Sequence, residues 1–141
     1  MAFIGDYRHT LDAKKRLFIP AKFRQELGLG FVVFRSLRDD CLLVYSAEEW
    51  KKYREPFEKL PRATQEQVNR YINHCAVQGD PDAQGRILLN DGLIEHAHIK
   101  KDVVVYGCTN YIEIWSAERF DEIMGGDNRE ALVKTLEEYG L

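Results

Sequence analysis

Two short segments of this chain repeat at a fixed distance. The run Leu-Asp-Ala-Lys-Lys-Arg-Leu at 11–17 returns as Pro-Asp-Ala-Gln-Gly-Arg-Ile at 81–87, with Asp and Arg at the same spacing. Ser-Ala-Glu at 46–48 returns at 116–118, and both matches are offset by seventy positions. Two separate matches at one offset predict an internal duplication. The period exceeds that of common solenoid repeats, which favours two related half-domains over a stacked array.

The composition is typical of one soluble globular domain. The chain has 141 residues, enough for one core, of which 45% are apolar and 30% charged. No apolar run approaches the roughly 20 residues of a membrane span, and the start lacks the basic-then-apolar order of a signal peptide. The three cysteines, Cys41, Cys75 and Cys108, form no CxxC motif. This pattern predicts reduced, buried thiols in a cytoplasmic protein.

Charge is distributed unevenly along the chain. The net charge of −3 argues against indiscriminate binding to nucleic acid. Residues 8–24 nevertheless carry six basic side chains and one acid, whereas residues 113–141 carry eight acids and three bases. This asymmetry favours one face directed at a polyanion and another turned away from it. The alternative is that the basic side chains only solvate a surface turn.

The residue pattern predicts the same order of elements in both halves. β-branched and aromatic runs favour strands, and Pro20 suits the first turn of a helix because its missing N–H would be unpaired there. The first half is expected to contain strands at 3–10, 17–19, 31–34 and 41–45, a helix at 21–27, and turns at 11–15 and 35–40. The second is expected to contain strands at 86–89, 102–106 and 111–115, a turn at 80–85, a weaker helix at 91–97, a helix capped by Ser116 that breaks at 125–126, and a terminal helix at about 129–139.

A helical segment is expected between the halves. Ser46 and Glu49 form a capping box, and the helix that begins there should break just before Pro56. Thr64 and Gln67 form a second capping box, for a helix reaching about residue 75. The chain is thereby divided into a first half with its helix (1–60), a helical connection (61–78) and a second half with C-terminal helices (79–141).

Each repeat places an Arg four positions after an Asp on a tight turn. The pair could simply stiffen the hairpin, since exposed ion pairs are common. Alternatively the Arg points outward, where a guanidinium suits bidentate contact with a guanine edge and nearby lysines suit phosphates. Retention of both residues in both copies favours a periodic ligand, and DNA is the obvious one. The candidates are Arg16 and Arg86 for bases, and Lys14, Lys15 and Arg8 for phosphates.

The chain resembles the MraZ family of bacterial transcription regulators. The resemblance lies in Leu-Asp-x-Lys-x-Arg-Leu-x-Ile-Pro, Asp-x-x-Gly-Arg, the Ser-Ala-Glu-Glu-Trp helix start and the Ile-Glu-Ile-Trp strand. It implies a strand-rich α+β fold of two tandem SpoVT/AbrB-like swapped-hairpin half-domains, forming a pseudo-two-fold unit with helices after each half. It also implies DNA contact by Lys14, Arg16 and Arg86.

The resemblance assigns a supporting role to the other turn residues. Asp12 and Asp82 would hold the two turns. The family usually has Gly before the first Arg, a pattern that Gly85 keeps in the second half, whereas Lys15 stands there in the first. If that position requires a positive φ, Lys15 is strained; alternatively, Lys15 has been recruited to a phosphate.

The resemblance further implies protomers associated into closed rings. Such a homo-oligomer would bind double-stranded DNA carrying short direct repeats and repress the division and cell-wall gene cluster that encodes it. The protein would be cytoplasmic and associated with the nucleoid. No metal or cofactor is expected.

Two other classes of function stay open from the residues alone. One is a ring-forming scaffold, or a nucleoid-associated protein that binds DNA without sequence preference. The other is a small hydrolase using His74 or the pair His96 and His98. A hydrolase would need a clustered acid, base and nucleophile, and the sequence shows no such cluster.

Overall fold

The computed structural model describes residues 2–126 and 128–141; Met1 and Asp127, one of the acids counted above, lie outside them. The elements in chain order are β1 (Asp6–Thr10), β2 (Arg16–Phe18), α1 (Ala21–Leu27), β3 (Val32–Arg35), β4 (Leu42–Tyr45), α2 (Ala47–Arg54), a 3-10 helix (Glu55–Lys59), α3 (Arg62–Cys75), β5 (Val77–Gln78), β6 (Arg86–Leu88), α4 (Asp91–His96), β7 (Asp102–Gly107), β8 (Ile112–Ser116), α5 (Ala117–Met124) and α6 (Arg129–Glu138). The predicted α+β class is confirmed.

The two halves exchange strands within one antiparallel sheet. Six strands follow the order β1-β7-β8-β4-β3-β5, and β2 pairs with β6 in a separate two-stranded sheet. The first strand of each half therefore joins the other half: β1 pairs with β7, and β5 pairs with β3. If each strand is replaced by its equivalent from the other half, the same strand order results, read from the opposite edge of the sheet. The duplication seen in the sequence thus produces a pseudo-two-fold arrangement.

The offset between the halves is not constant along the sheet. Val33 pairs with Val44, and Val105 pairs with Ile114. Val105, and not Val103 as a single offset predicts, therefore corresponds to Val33. The loop after β3 is longer than the loop after β7, whereas the segment before β7 is longer than the segment before β3. These two differences cancel, which is why the offset is restored at β4 and β8.

Two apolar clusters cover the two faces of the six-stranded sheet. One contains β2, β6, α1 and α4 side chains, with Leu17 and Ile87 buried at its centre. The other contains the aromatic side chains beneath α2 and α5. Trp115 and Phe120 are buried there, and the half-buried Trp50 packs against the same cluster. The first cluster anchors the small β2–β6 sheet against the large one.

The predicted helix caps at Ser46 and Ser116 are confirmed, whereas a third predicted helix start differs. Ser46 Oγ accepts the backbone N–H of Glu49 at 3.2 Å, as the predicted cap requires. The prediction that Thr64 caps the next helix is wrong, because α3 already begins at Arg62. Pro61 precedes this helix with φ −53° and needs no N–H partner, so the helix can start directly after it. Thr64 is then an interior residue.

Other predicted boundaries move by a few residues. The first strand starts at Asp6 and not at Phe3, since Gly5 has a φ of 98° and interrupts the extended chain. Phe3 instead forms an isolated bridge with Thr109. The predicted break before Pro56 is confirmed, because α2 ends at Arg54 and continues as the 3-10 helix.

The C-terminal helix α6 has no buried residue. Its apolar side chains remain exposed, including Leu132 at 59% and Leu136 at 40%, and Tyr139 directly after the helix is 78% exposed. Within residues 2–126 and 128–141, no helix combines the length and apolar character that crossing a membrane requires.

Candidate nucleic-acid interface

The turn between β1 and β2 is built around the Asp12 carboxylate. Its Oδ1 accepts the backbone N–H groups of Lys14 and Arg16 at 2.9 Å each, and its Oδ2 accepts Nε of Arg16 at 2.8 Å. The Asp12 N–H donates to the Arg16 carbonyl at 3.0 Å, which closes the turn. These hydrogen bonds, chiefly the one from the Arg16 backbone, lower the pKa of Asp12. The carboxylate thus fixes both the loop and the direction of the arginine.

The turn between β5 and β6 repeats this geometry around Asp82. Its Oδ1 accepts the N–H groups of Gln84 and Arg86 at 2.9 Å each, and its Oδ2 accepts Nε of Arg86 at 3.0 Å. The same hydrogen bonds lower the pKa of Asp82, with the Arg86 backbone again the largest cause. One contact has no counterpart in the first turn: Nη2 of Arg86 donates to Oε1 of Gln84 at 2.8 Å.

The local Asp–Arg pair, considered above as an alternative to DNA contact, is present in both turns. It engages only Nε of Arg16, so the Nη1 and Nη2 end of that guanidinium has no partner within the described ranges 2–126 and 128–141. An arginine held at Nε keeps a two-pronged end with a fixed direction, which suits a pair of acceptors such as a guanine edge. The ion pair and an outward-facing role are therefore compatible.

The β2–β6 ladder brings the two turns together. Leu17 and Ile87 are direct partners at its centre. The ladder continues at both ends, where Ile19 N–H donates to the Gly85 carbonyl at 3.0 Å and Leu89 N–H donates to the Lys15 carbonyl at 2.9 Å. Residues just before each arginine are thus hydrogen-bonded to the other half. The two turns form one surface.

Lys15, which stands where the family usually has Gly, occupies the position in the first turn that Gly85 occupies in the second. Both have positive φ values, 62° for Lys15 and 81° for Gly85, so the strain predicted for Lys15 is present. The Lys15 ammonium forms an ion pair with Asp91 at the start of α4. A Cβ on Gly85 would lie 1.8 Å from Nη1 of Arg24, so no side chain fits there while Arg24 keeps its position.

The two other predicted phosphate ligands differ in their surroundings. Lys14 is exposed, and its ammonium has no partner in the part of the chain that the structure describes. Arg8 is held by Asp121 of α5, with Nη2–Oδ1 at 2.6 Å and Nη1–Oδ2 at 3.4 Å. Contact of Arg8 with a phosphate would require this pair to open.

Arg24 belongs to the same surface and was not predicted as a site residue. Its Nη1 donates to the Ile19 carbonyl at 2.6 Å, and its guanidinium lies 5.2 Å from the Phe18 ring. It therefore adds a cation beside Gly85. The repeat could not identify it, because the corresponding position in the second half is Ile94.

Two of the histidines considered for catalysis, His96 and His98, lie beside the loop between β3 and β4. Nε2 of His96 lies 3.1 Å from the Asp39 carbonyl, and Nε2 of His98 lies 3.6 Å from Oδ2 of Asp40. His74 is exposed on α3. Among the residues described, no three His, Cys, Asp or Glu side chains are placed to hold a metal ion.

All three cysteines are free thiols. Cys41 and Cys75 are buried as predicted, whereas Cys108 is only partly buried because it lies in the loop after β7. Burial raises the pKa of Cys41 and raises the pKa of Cys108 to about 12. These two thiols are therefore protonated at neutral pH and are poor nucleophiles.

The sequence matches one family and many of its curated members. Residues 2–70 and 74–138 match the family model described as "MraZ protein, putative antitoxin-like". A protein of Lachnoclostridium phytofermentans is 42% identical over 140 residues, covering 99% of this chain and 98% of its own. One from Caldanaerobacter subterraneus is 46% identical over 84% of both chains, and one from Oenococcus oeni is 39% identical over 99% of both. All three are named "Transcriptional regulator MraZ".

Proposed function

The chain belongs to the MraZ family, and on this basis we propose that it is a sequence-specific, DNA-binding transcriptional regulator. Relatives that cover almost its whole length carry the name of a transcriptional regulator. The duplicated turns supply a surface suited to that function.

The observation that carries the proposal is the pair of arginine-bearing turns on one ladder. Each arginine is oriented by an Asp through Nε, which reduces the conformational entropy lost when its outer end binds. Lys14 and Lys15 lie beside the first arginine as phosphate ligands, Lys14 directly and Lys15 once its ion pair with Asp91 opens. Base readout by Arg16 and Arg86 combined with phosphate contacts would provide both specificity and affinity.

The scaffold alternative explains the basic turn less well. A scaffold needs no matched orientation of two arginines, whereas base recognition requires it. The net charge of −3 also disfavours a protein that coats DNA without sequence preference. A repressor of the division and cell-wall gene cluster, located in the cytoplasm at the nucleoid, is the form of this function that the family resemblance supports.

The surface that one protomer offers to DNA, formed by its two arginine-bearing turns, is small, so we expect several protomers to bind together. One pair of short turns contacts few base pairs, so useful affinity requires linked copies on repeated motifs. The open sheet edges at β1 and β5 and the exposed apolar face of α6 support self-association. We therefore include a closed homo-oligomeric ring and short direct repeats in the proposal.

A selection of random duplex DNA by the full-length protein tests this function. The proposal expects enrichment of one short motif, bound with an affinity that falls steeply as salt increases. Binding to the selected motif should exceed binding to a shuffled duplex by at least about 10³-fold. Equal binding to selected and shuffled duplexes would leave the non-specific alternative, and the lack of any binding would leave the scaffold.

A further inference from the structure

Arg16 and Arg86 both approach the same carboxylate oxygen of Asp12. Oδ2 of Asp12 accepts Nε of Arg16 at 2.8 Å and also lies 3.6 Å from Nη1 of Arg86. The two guanidinium groups, which come from different halves, therefore approach a single carboxylate. The side chains concerned are each about 30% exposed. The contact between Asp12 and Arg86 therefore joins the two halves within the proposed DNA-contacting surface.

The contact breaks the pseudo-two-fold symmetry. Its symmetry counterpart would join Arg16 to Asp82, and in the described parts of the chain these two groups form no ion pair. Among the described residues, Asp82 forms an ion pair with Arg86 alone, whereas Asp12 forms ion pairs with both arginines. Gln84 adds a further hydrogen bond to Arg86, so oxygen atoms face all three nitrogens of that guanidinium.

Two like charges held close together repel each other, and an anion placed between them offsets this repulsion. Asp12 provides that anion between Nε of Arg16 and Nη1 of Arg86, and among the described residues it leaves the Nη1 and Nη2 end of Arg16 without a partner. We propose that Asp12 is a positioning residue for both halves, so that Arg16 and Arg86 read neighbouring positions of one DNA motif as a unit. This inference rests on the proposed DNA-binding function.

The proposal predicts different effects of substituting Asp12 and Asp82, which occupy equivalent positions in the sequence repeat. Asn can keep the Oδ1 contacts to backbone N–H groups but cannot accept from arginine through its NH₂ group. Asp12→Asn should therefore release Arg16 and Arg86, whereas Asp82→Asn should release only Arg86. Both variants lose one negative charge, so each should bind shuffled DNA as tightly as the wild type or more tightly.

The decisive measurements use backgrounds in which one arginine is absent. In an Arg16→Ala background, Asp12→Asn should still weaken binding to the selected motif by about two- to fivefold, because Arg86 loses its support. In the matched Arg86→Ala background, Asp82→Asn should not weaken binding to the selected motif, because in the described residues Asp82 forms no ion pair with Arg16. Equal effects in the two backgrounds would assign Asp12 a purely structural role in its own turn, and no effect of Asp12→Asn in the first background would likewise overturn the proposal.

A measurement without DNA separates this inference from the proposed function. In NMR spectra of the free protein, the guanidinium resonances of Arg86 should shift and exchange faster in Asp12→Asn, while those of Arg16 should be unchanged in Asp82→Asn. Unchanged Arg86 resonances in Asp12→Asn would overturn the inference even if the protein binds its motif. If the resonances respond but no motif is bound, only the proposed function fails.

Discussion

Lys15 and Gly85 occupy the same place in two related turns and share a positive φ, at 62° and 81°. The backbone of the turn therefore demands this conformation, whichever residue is present. A glycine adopts it freely, whereas a side chain at positive φ adds steric strain of roughly 1–2 kcal/mol. The first turn keeps a lysine in spite of this strain, and that lysine pairs with Asp91.

The first prediction compares Lys15→Gly with Lys15→Ala. Both variants lose the ion pair with Asp91, so they differ mainly in the strain at positive φ. Lys15→Gly should be the more stable of the two by about 1 kcal/mol in free energy of unfolding, measured by urea denaturation. Gly85→Ala serves as the matched control and should destabilise the protein, since its Cβ also displaces Arg24. Equal stability of the two Lys15 variants would show that the turn tolerates a side chain without strain.

Much of the site could be predicted because it is duplicated. The repeated Asp and Arg identified both turns, and Gly85 indicated that strain at Lys15 depends on whether this position needs a positive φ. Local hydrogen bonds within five residues decide these features, so a short sequence segment contains the information. The same holds for the Ser46 cap.

Features that depend on distant residues could not be predicted. The shared contact of Asp12 with Arg86 exists only because β2 and β6 pair across the halves. Arg24 reaches the surface through the Ile19 carbonyl, and its position has no repeat counterpart. Val105 aligns with Val33 because two differences in loop length shift this strand. Since these differences cancel, the repeated motifs on either side keep the same offset and do not reveal the shift.

The second prediction concerns the arginines themselves. Arg16→Ala and Arg86→Ala should each reduce affinity for the selected motif by about 1–3 kcal/mol per engaged copy, because a bidentate base contact is lost. Arg16→Lys is the control for charge: it should retain binding to shuffled DNA but lose preference for the motif. Fluorescence titrations with both duplexes measure this. Wild-type affinity in both alanine variants would show that the base contacts lie elsewhere.

The third prediction assigns Lys14 to a phosphate. Lys14→Ala should weaken motif and shuffled DNA about equally, and it should reduce the slope of log affinity against log salt by about one unit per engaged copy. Lys51→Ala makes the same change in charge at an exposed position of α2, on the face of the large sheet opposite to β2 and β6, and should leave the slope unchanged. A changed motif preference with an unchanged slope would instead indicate that Lys14 contacts bases.

The fourth prediction follows from the lowered pKa values of Asp12 and Asp82. A carboxyl whose pKa is lower in the folded state stabilises the fold above its ordinary pKa of 3.8, and this stabilisation is lost as pH falls through the lowered value. The stability difference between wild type and Asp82→Asn should thus be constant near neutral pH and shrink below about pH 4. Unfolding curves at several pH values measure it. A difference that persists unchanged in strong acid would contradict the pKa assignment.

The last prediction concerns the arrangement of motifs on DNA. Neighbours in a cyclic ring are related head to tail, without a two-fold axis between them, so their motifs should be direct repeats. A nearly straight duplex presents repeated motifs on one face only if they recur about every 10 base pairs, one helical turn.

Inserting base pairs between two motifs tests this arrangement. Five inserted pairs turn one motif to the opposite face of the duplex, so affinity should collapse towards that of a single motif. Ten inserted pairs restore the facing and should recover part of the affinity, because the motifs again meet linked protomers. A titration over insertions of zero to ten base pairs, with a duplex carrying one intact and one scrambled motif as the control, measures the effect. A flat response would remove the argument for linked protomers, even if a single protomer still binds its motif.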